Sequence, residues 1–387
     1  MPFNMKIFIT LFLAMFVTTV GVGLVAPLLP LYAHQLGAGA SQIGLIFGAF
    51  SLTRTIFVPY FGKLSDKRGK KPLLTIGLFL FFLLSLLYTL SKGVGALILL
   101  RLGQGFASAM VLPVAQAYVG TITPPDKEGR VMGLFNISLY GGLSIGPVLG
   151  GVVKDWLNIQ ASFLTMGALS LLGLTLCVLL LPAETPSQAT QTADTDRAAS
   201  YMALVRMPLV MSLFAFRACF TTCIGVIWTF LPFLAGTELG LSSTAIGLVV
   251  MINVLVAGLL QAPMGYMADR FSKKLLVTAG GILAIFSFLY LSKAASLGDL
   301  LISNGLLGLA GGISFPAIMA LGVIEGRKNK AMGSLMGLLA MGHSLGMLIG
   351  PLLAGVIIDL FSISVMFILA TFILAAGTLI FARYQWA

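Results

Sequence analysis

Apolar residues run along this chain in long unbroken stretches, not in strand-like alternation or in a one-sided helical stripe. Twelve such runs, at about 7–32, 42–61, 72–90, 94–118, 131–153, 160–182, 208–235, 244–264, 275–292, 298–322, 332–357 and 362–382, are each long enough to cross ~30 Å of hydrocarbon as a helix. Gly and Pro interrupt them freely, as membrane helices tolerate. Continuous runs also argue against a β-barrel, whose strands alternate. The first run follows Lys6 and precedes the small residues of 37–41, as in a secretory signal. It is too long for a signal core of about 7–15 residues, so it is expected to be a span and to stay.

One segment breaks the pattern. Residues 183–200 are rich in Ala, Thr, Ser, Gln and Asp without periodicity and read as a flexible linker. A short apolar and basic piece, 201–207, is expected on the membrane surface. The organisation is therefore a six-helix bundle at 1–182, a cytoplasmic linker at 183–207 and a second six-helix bundle at 208–387. The predicted fold is an all-α membrane protein with twelve transmembrane helices in two six-helix bundles.

The halves repeat each other. Leu29-Pro30 matches Leu231-Pro232, Leu36-Gly37 matches Leu239-Gly240, Ile43-Gly44 matches Ile246-Gly247, and Gly146-Pro147 matches Gly350-Pro351. Each half has an even number of runs, so the repeats are parallel, related by an axis along the membrane normal.

Composition sharpens the class. Hydrophobic residues make up 58% of the chain and charged residues 9%, against about 25% charged in soluble domains. The net charge of +11 could suggest nucleic acid. The cations gather instead at 63–71, 127–130, 197–206, 270–274 and 327–330, all on one side when both termini are cytoplasmic. Only Lys92, Lys154 and Lys293 fall opposite. This positive-inside bias reports orientation in a cell inner membrane and excludes a polyanion partner. Cys177, Cys219 and Cys223 lie within spans and form no disulfide framework. Phosphate loops, metal-ligand spacings, paired deep carboxylates and nucleophile–base patterns are all missing, so no enzyme activity, cofactor or metal is expected.

The densest chemical signal is Gly62-Lys-Leu-Ser-Asp66-Lys67-Arg-Gly69-Lys70-Lys71, between the second and third runs. A weaker copy, Gly265-Tyr-Met-Ala-Asp269-Arg270-Phe-Ser-Lys-Lys274, follows 203 residues later. An aspartate there can accept hydrogen bonds from a helix N-terminus or pair with nearby cations. Such a cluster would latch one conformational state and release in another.

These residues resemble the major facilitator superfamily over nearly the whole chain. The 62–71 segment is similar to that family's loop 2–3 signature. The second copy has Ser272 where the signature has Gly. Arg101-Leu-Gly-Gln104-Gly105 resembles the span-four motif. Gly142-Leu-Ser-Ile-Gly146-Pro147-Val-Leu-Gly150-Gly151 resembles the span-five motif of proton-driven exporters, including the twelve-helix drug antiporters. Gly346 to Gly355 partly echoes it. The resemblance implies alternating access, with spans one, four, seven and ten lining a cavity and two, five, eight and eleven forming gates. Several family members carry a working acid in span one; the first run here has neither Asp nor Glu.

Charge placement supplies the candidate residues. Spans three, six, nine and twelve carry no charge and are expected to face lipid. Arg54, Arg101 and Arg217 lie deep in spans two, four and seven, where an ionisable group normally faces a cavity or a partner. With Gln104 and Trp228 they are the candidate substrate contacts. Tyr32, Gln116, Asn136, Asn253 and Gln261 are further sources of cavity polarity, although each taken alone reads first as an ordinary helix–helix contact. His343 is the one deep group with an ordinary pKa near neutrality. It is the first candidate for proton coupling, with Asp155 and Glu325 near helix ends as alternatives. Gly62, Asp66, Lys67, Gly69, Lys70, Asp269 and Arg270, with Gly142, Gly146, Pro147, Gly150 and Gly151, are the candidate gating residues. Three deep arginines without a deep acid favour an anionic, zwitterionic or acceptor-rich amphiphilic small molecule. The expected partners are that substrate, protons and the bilayer, with the protein acting as a monomer. Three functional readings remain: a proton-coupled exporter, an organic-anion symporter or uniporter, and a transporter-like sensor that binds without flux.

Overall fold

The computed structural model describes residues 4–123, 128–182, 204–328 and 332–384. They form α-helices and short connections, with no strand among the described residues. In chain order the helices are α1 (Met5–Val25), α2 (Leu29–Gln35), α3 (Ala40–Arg68), α4 (Lys70–Thr89), α5 (Val94–Ile122), α6 (Glu128–Trp156) and α7 (Ile159–Leu180). Then come α8 (Pro208–Thr237), α9 (Ser243–Arg270), α10 (Lys273–Leu291), α11 (Leu297–Lys328), α12 (Met332–Leu360) and α13 (Ile363–Arg383). Among the described residues, twelve spans are long and apolar enough to cross a membrane. The first is made by α1 and α2 together, over Met5–Gln35. The break between them falls at 26–28, where Pro27 and Pro30 withhold backbone donors.

Several helices outrun their apolar windows. The 29 residues of α3, α5, α6 and α12 reach about 43 Å at ~1.5 Å per residue, beyond a hydrocarbon core of ~30 Å. Prolines inside helices recur at the repeat offset: Pro59 with Pro263, Pro113 with Pro316, Pro147 with Pro351. In a membrane, neighbouring helices can re-satisfy the carbonyl that each proline frees.

The chain divides into two compact units, one of 1–188 with 232–251, the other of 189–231 with 252–387. In the first, α1 packs on α6 and α7, α3 on α5, and α4 on α5 and α7. Its interior is apolar and aromatic, with Leu11, Leu74, Phe81, Val114, Tyr118 and Phe135 almost wholly enclosed. In the second, α10 packs on α11 and α13, and α12 on α11 and α13. The expected lipid-facing helices α4, α7, α10 and α13 each expose large apolar residues one or two turns apart. Examples are Ile76, Phe79, Leu83 and Leu87 on α4, and Val365, Ile368, Phe372 and Leu379 on α13. Such faces are stable in lipid and not in water.

Candidate functional site

The span-five glycines sit on α6 and form a backbone ladder against α1. A Cβ on Gly142 would meet the Thr19 hydroxyl and would lie 2.8 Å from the Phe16 carbonyl oxygen. On Gly146 it would lie 2.6 Å from the Val20 oxygen, and on Gly150 2.8 Å from the Leu24 carbonyl carbon. Gly151 meets a different element: its Cβ would lie 2.6 Å from the Cα of Thr244, at the start of α9. Thr19 Oγ1 also donates across the helix pair to the Ser138 carbonyl at 3.2 Å. Small residues thus bring the helices into backbone contact. Pro147 lies between these glycines, with its Cδ 3.3 Å from where Gly23 would carry a Cβ.

The second unit repeats this device. Gly346 on α12 faces Thr221, with the Ala218 oxygen 2.6 Å from its notional Cβ, and Gly350 packs on Thr222. Gly225 faces Pro351 Cδ at 2.9 Å, as Gly23 faces Pro147. Thr221 Oγ1 donates to Gly342 O at 3.4 Å, as Thr19 does to Ser138. Thr19 and Thr221 belong to the repeat and were missed by sequence reading, although their offset of 202 residues is legible there.

Arg101 lies in the first unit, 8% exposed. Its Nη1 donates to Gln104 Oε1 at 3.0 Å, and the same oxygen accepts from Tyr88 Oη at 3.2 Å. Gln104 Nε2 reaches Met166 Sδ at 3.6 Å. The guanidinium carbon sits 4.8 Å and 4.6 Å from the ring centroids of Phe47 and Phe50 on α3. Its Nε is enclosed without a hydrogen-bond acceptor among the described residues. Burying one ion costs several kcal/mol even after relaxation, and a desolvated aromatic face offsets roughly 2 kcal/mol of it. Two rings and a shared amide oxygen solvate the cation, but no carboxylate among the described residues hydrogen-bonds to it. Tyr88 continues the cluster: it stacks on Phe163 at 5.1 Å, and Phe163 meets Tyr32 edge-on at 5.5 Å. Tyr32 Oη donates to Ser91 O at 2.8 Å, so this tyrosine serves as a link between elements. The next motif residue, Gly105, lets α5 lie against α3, where Thr53 Oγ1 donates to Leu102 O at 2.9 Å.

The other deep arginines differ. Arg217, in the second unit, lies over the ring of Phe315 at 4.2 Å. Arg54 is half-buried on α3. Trp228 on α8 and His343 on α12 are half-buried as well, and His343 stands one residue from Gly342 in the second glycine ladder. Glu325 is 8% exposed near the end of α11. Asn253 Nδ2 donates to Asn304 O at 3.3 Å, which makes it a helix–helix contact.

The loop 2–3 signature is a one-residue turn. Gly69 alone separates α3 from α4, at φ +85° and ψ 157°, where an L side chain is strained. Lys70 is 9% exposed, with its Nζ 5.9 Å from the Tyr118 ring centroid. Lys71 Nζ donates to Val178 O at 2.9 Å and to Leu181 O, capping the C-terminal end of α7. Gly62 and Gly265 have open space where a Cβ would stand, so no contact requires glycine there. The side chains of Asp66, Lys67 and Asp269 lie outside the described residues. Arg270 stacks on Tyr266 at 4.4 Å. The second copy of the turn is built differently. Ser272, at φ −61°, caps α10 by accepting from Leu275 N at 3.4 Å. A serine cap replaces the glycine because two residues, Phe271 and Ser272, make this connection.

Asp155 closes the end of α6 opposite the Gly69 turn. Its carboxylate accepts from Ser243 N at 3.1 Å, Thr244 N at 2.8 Å and Thr244 Oγ1 at 2.7 Å. Lys154 Nζ donates to Ser243 Oγ at 2.6 Å.

The apolar spans and the two matching glycine ladders mark a multi-pass membrane protein with an internal repeat. The model of the Major Facilitator Superfamily matches residues 11–234 and 213–387, and the chain belongs to that family. It is 27% identical over 373 residues to the uncharacterised MFS-type transporter MJ1560 of the archaeon Methanocaldococcus jannaschii, covering 96% of each chain. It is 32% identical over 178 residues to the quinolone resistance protein NorA of Staphylococcus aureus, a match spanning 46% of this chain and 45% of NorA. Among solved structures, the nucleoside transporter NupG superposes with a TM-score of 0.81 at 15% identity, covering 98% of this chain and 99% of NupG. The human organic anion transporter MFSD10 superposes at 0.68 and 19% identity, covering 98% of this chain and all of its own. At such identities the likeness is one of fold.

Proposed function

We propose that this transporter is a proton-coupled exporter of small organic molecules working by alternating access. It acts as a monomer in the cell inner membrane, with both termini cytoplasmic and bundles at 1–182 and 208–387 joined by the 183–207 linker. The observation that carries the reading is the glycine ladder of α6 on α1, whose sequence has the form found in proton-driven exporters. The likeness to a quinolone resistance protein over 46% of the chain supports the same direction. Asp66, Lys67, Lys70, Asp269 and Arg270 flank the turns expected to work as gates, and His343, with Asp155 and Glu325 as alternatives, carries the coupled proton.

The substrate is anionic, zwitterionic or an amphiphile with an acceptor-rich head. The support is Arg101: a buried guanidinium with no carboxylate hydrogen-bonded to it among the described residues and an unoccupied Nε donor. A bound anion would offset that cost through charge-assisted hydrogen bonds. Arg217 and Trp228 are further contacts, and Arg54 lies nearer a gate. The same observation also favours a second reading, an organic-anion symporter or uniporter. Flux in proteoliposomes decides. Export expects substrate movement against an imposed proton gradient, co-directional movement indicates the symporter, and binding without flux indicates a sensor.

A further inference from the structure

The first turn of α9 is held by a residue from another helix. Ser242 Oγ accepts from Ala245 N at 3.2 Å and is the helix's own cap. The two remaining leading donors, Ser243 N and Thr244 N, point at Asp155. The positive end of the α9 dipole favours the carboxylate and offsets its unfavourable place at the negative end of α6. Beside it one glycine from each helix faces the backbone of the other helix. Gly151 meets Ser243, and a Cβ on Gly247 would lie 2.7 Å from the Pro147 carbonyl carbon. Beside the carboxylate is a cleft of about 190 Å³ lined by Leu31, His34, Lys154 and Gly236, among others. All these residues belong to the first unit, while α9 from Ile252 onward packs in the second.

Two features separate this contact from a permanent brace. Asp155 is exposed, so water can take its hydrogen bonds as they break. The α9 terminus keeps its Ser242 cap after release, so the helix survives opening. We infer that Asp155 is a positioning residue for transport: it clasps the first turn of α9 to the last turn of α6, and the clasp opens each time this face of the protein opens. The inference rests on the alternating-access reading above.

The test needs neither substrate nor gradient. Leu31, 8% exposed and lining the cleft, is replaced by Cys in a background where Cys177, Cys219 and Cys223 are Ala. Its labelling by a membrane-impermeant maleimide is then timed in membranes. Ser170→Cys, 1% exposed on α7, reports general unfolding. Asp155→Asn is expected to raise labelling at position 31 about tenfold, the factor for losing one charge-assisted hydrogen bond in a two-state equilibrium, with position 170 still protected. Thr244→Val, which removes only the hydroxyl bond, should give a smaller rise and serves if Asp155→Asn does not insert. Unchanged labelling at position 31 in both variants, or equal rises at 31 and 170, overturns the clasp. Because the reading is accessibility, a failure of substrate flux in vesicles counts against the proposed function alone.

Discussion

At the scale of single residues, two chemistries stand out: a cation without a carboxylate, and glycines without room for a methyl. Arg101 is held by one shared amide oxygen and two rings. Lysine keeps the charge but lacks the planar fork that lies over the Phe47 and Phe50 rings while donating to Gln104. Arg101→Lys and Arg217→Lys should therefore raise KM for an anionic substrate by roughly tenfold, the worth of one hydrogen bond to a charge. Initial-rate flux checks this. If quaternary ammonium compounds prove the better substrates, and alanine at both positions leaves their flux intact, the electrostatic reading fails. At Gly146 a methyl would meet the α1 backbone. Gly146→Ala should lower stability in detergent by about 1–3 kcal/mol, as overpacking does. Gly305→Ala, on α11 with open space around it, should instead gain up to about 1 kcal/mol from helix propensity. Thermal unfolding of the two variants side by side measures the contrast.

At the scale of elements, the two loop copies reverse the chain by different means. The first needs one residue at positive φ; the second uses a serine cap. Gly69→Ala should cost about 1–3 kcal/mol of backbone strain, because positive φ with extended ψ is open almost to glycine alone. Ser272→Ala should cost about 1 kcal/mol of lost capping. Melting curves separate these from transport effects. Asp66→Asn is expected to slow transport at equal expression and insertion, and Asp269→Asn to slow it less; normal turnover in Asp66→Asn removes the latch role. The repeat itself was readable in the sequence, because glycine, proline and the loop cations recur at a nearly constant offset. The threonine bonds that accompany each ladder were not. A threonine within an apolar run bonds its own helix as readily as a neighbour, and only packing selects the carbonyls of Ser138 and Gly342.

For the whole molecule, the proposed direction of transport and its coupling are read from flux. Outward flux in proteoliposomes should rise with an imposed proton gradient and fall when the gradient is collapsed. His343→Gln and His343→Ala should shift the pH dependence of that flux. An unchanged profile in both removes His343 and turns attention to Glu325 and Asp155. The family match extends over both halves of the chain, so the transporter class does not depend on the outcome.

Sequence alone determined the all-helical membrane class, the twelve spans, the repeat and the family. Each follows from local or periodic terms: apolar run length against bilayer thickness, charge bias between loops, and residues recurring along the chain. It also located Arg101, Gln104 and the α6 glycines, since a charge or a lost side chain is conspicuous in an apolar run. It could not say what these residues touch. The Phe47 and Phe50 rings beside Arg101, the Thr19 and Thr221 bonds, and the hold of Asp155 on Ser243 and Thr244 join positions 51 to 121 residues apart. Contacts of that range depend on how helices are rotated and stacked. In lipid, where burial of apolar surface no longer ranks one helix face above another, close packing and polar pairing make that choice.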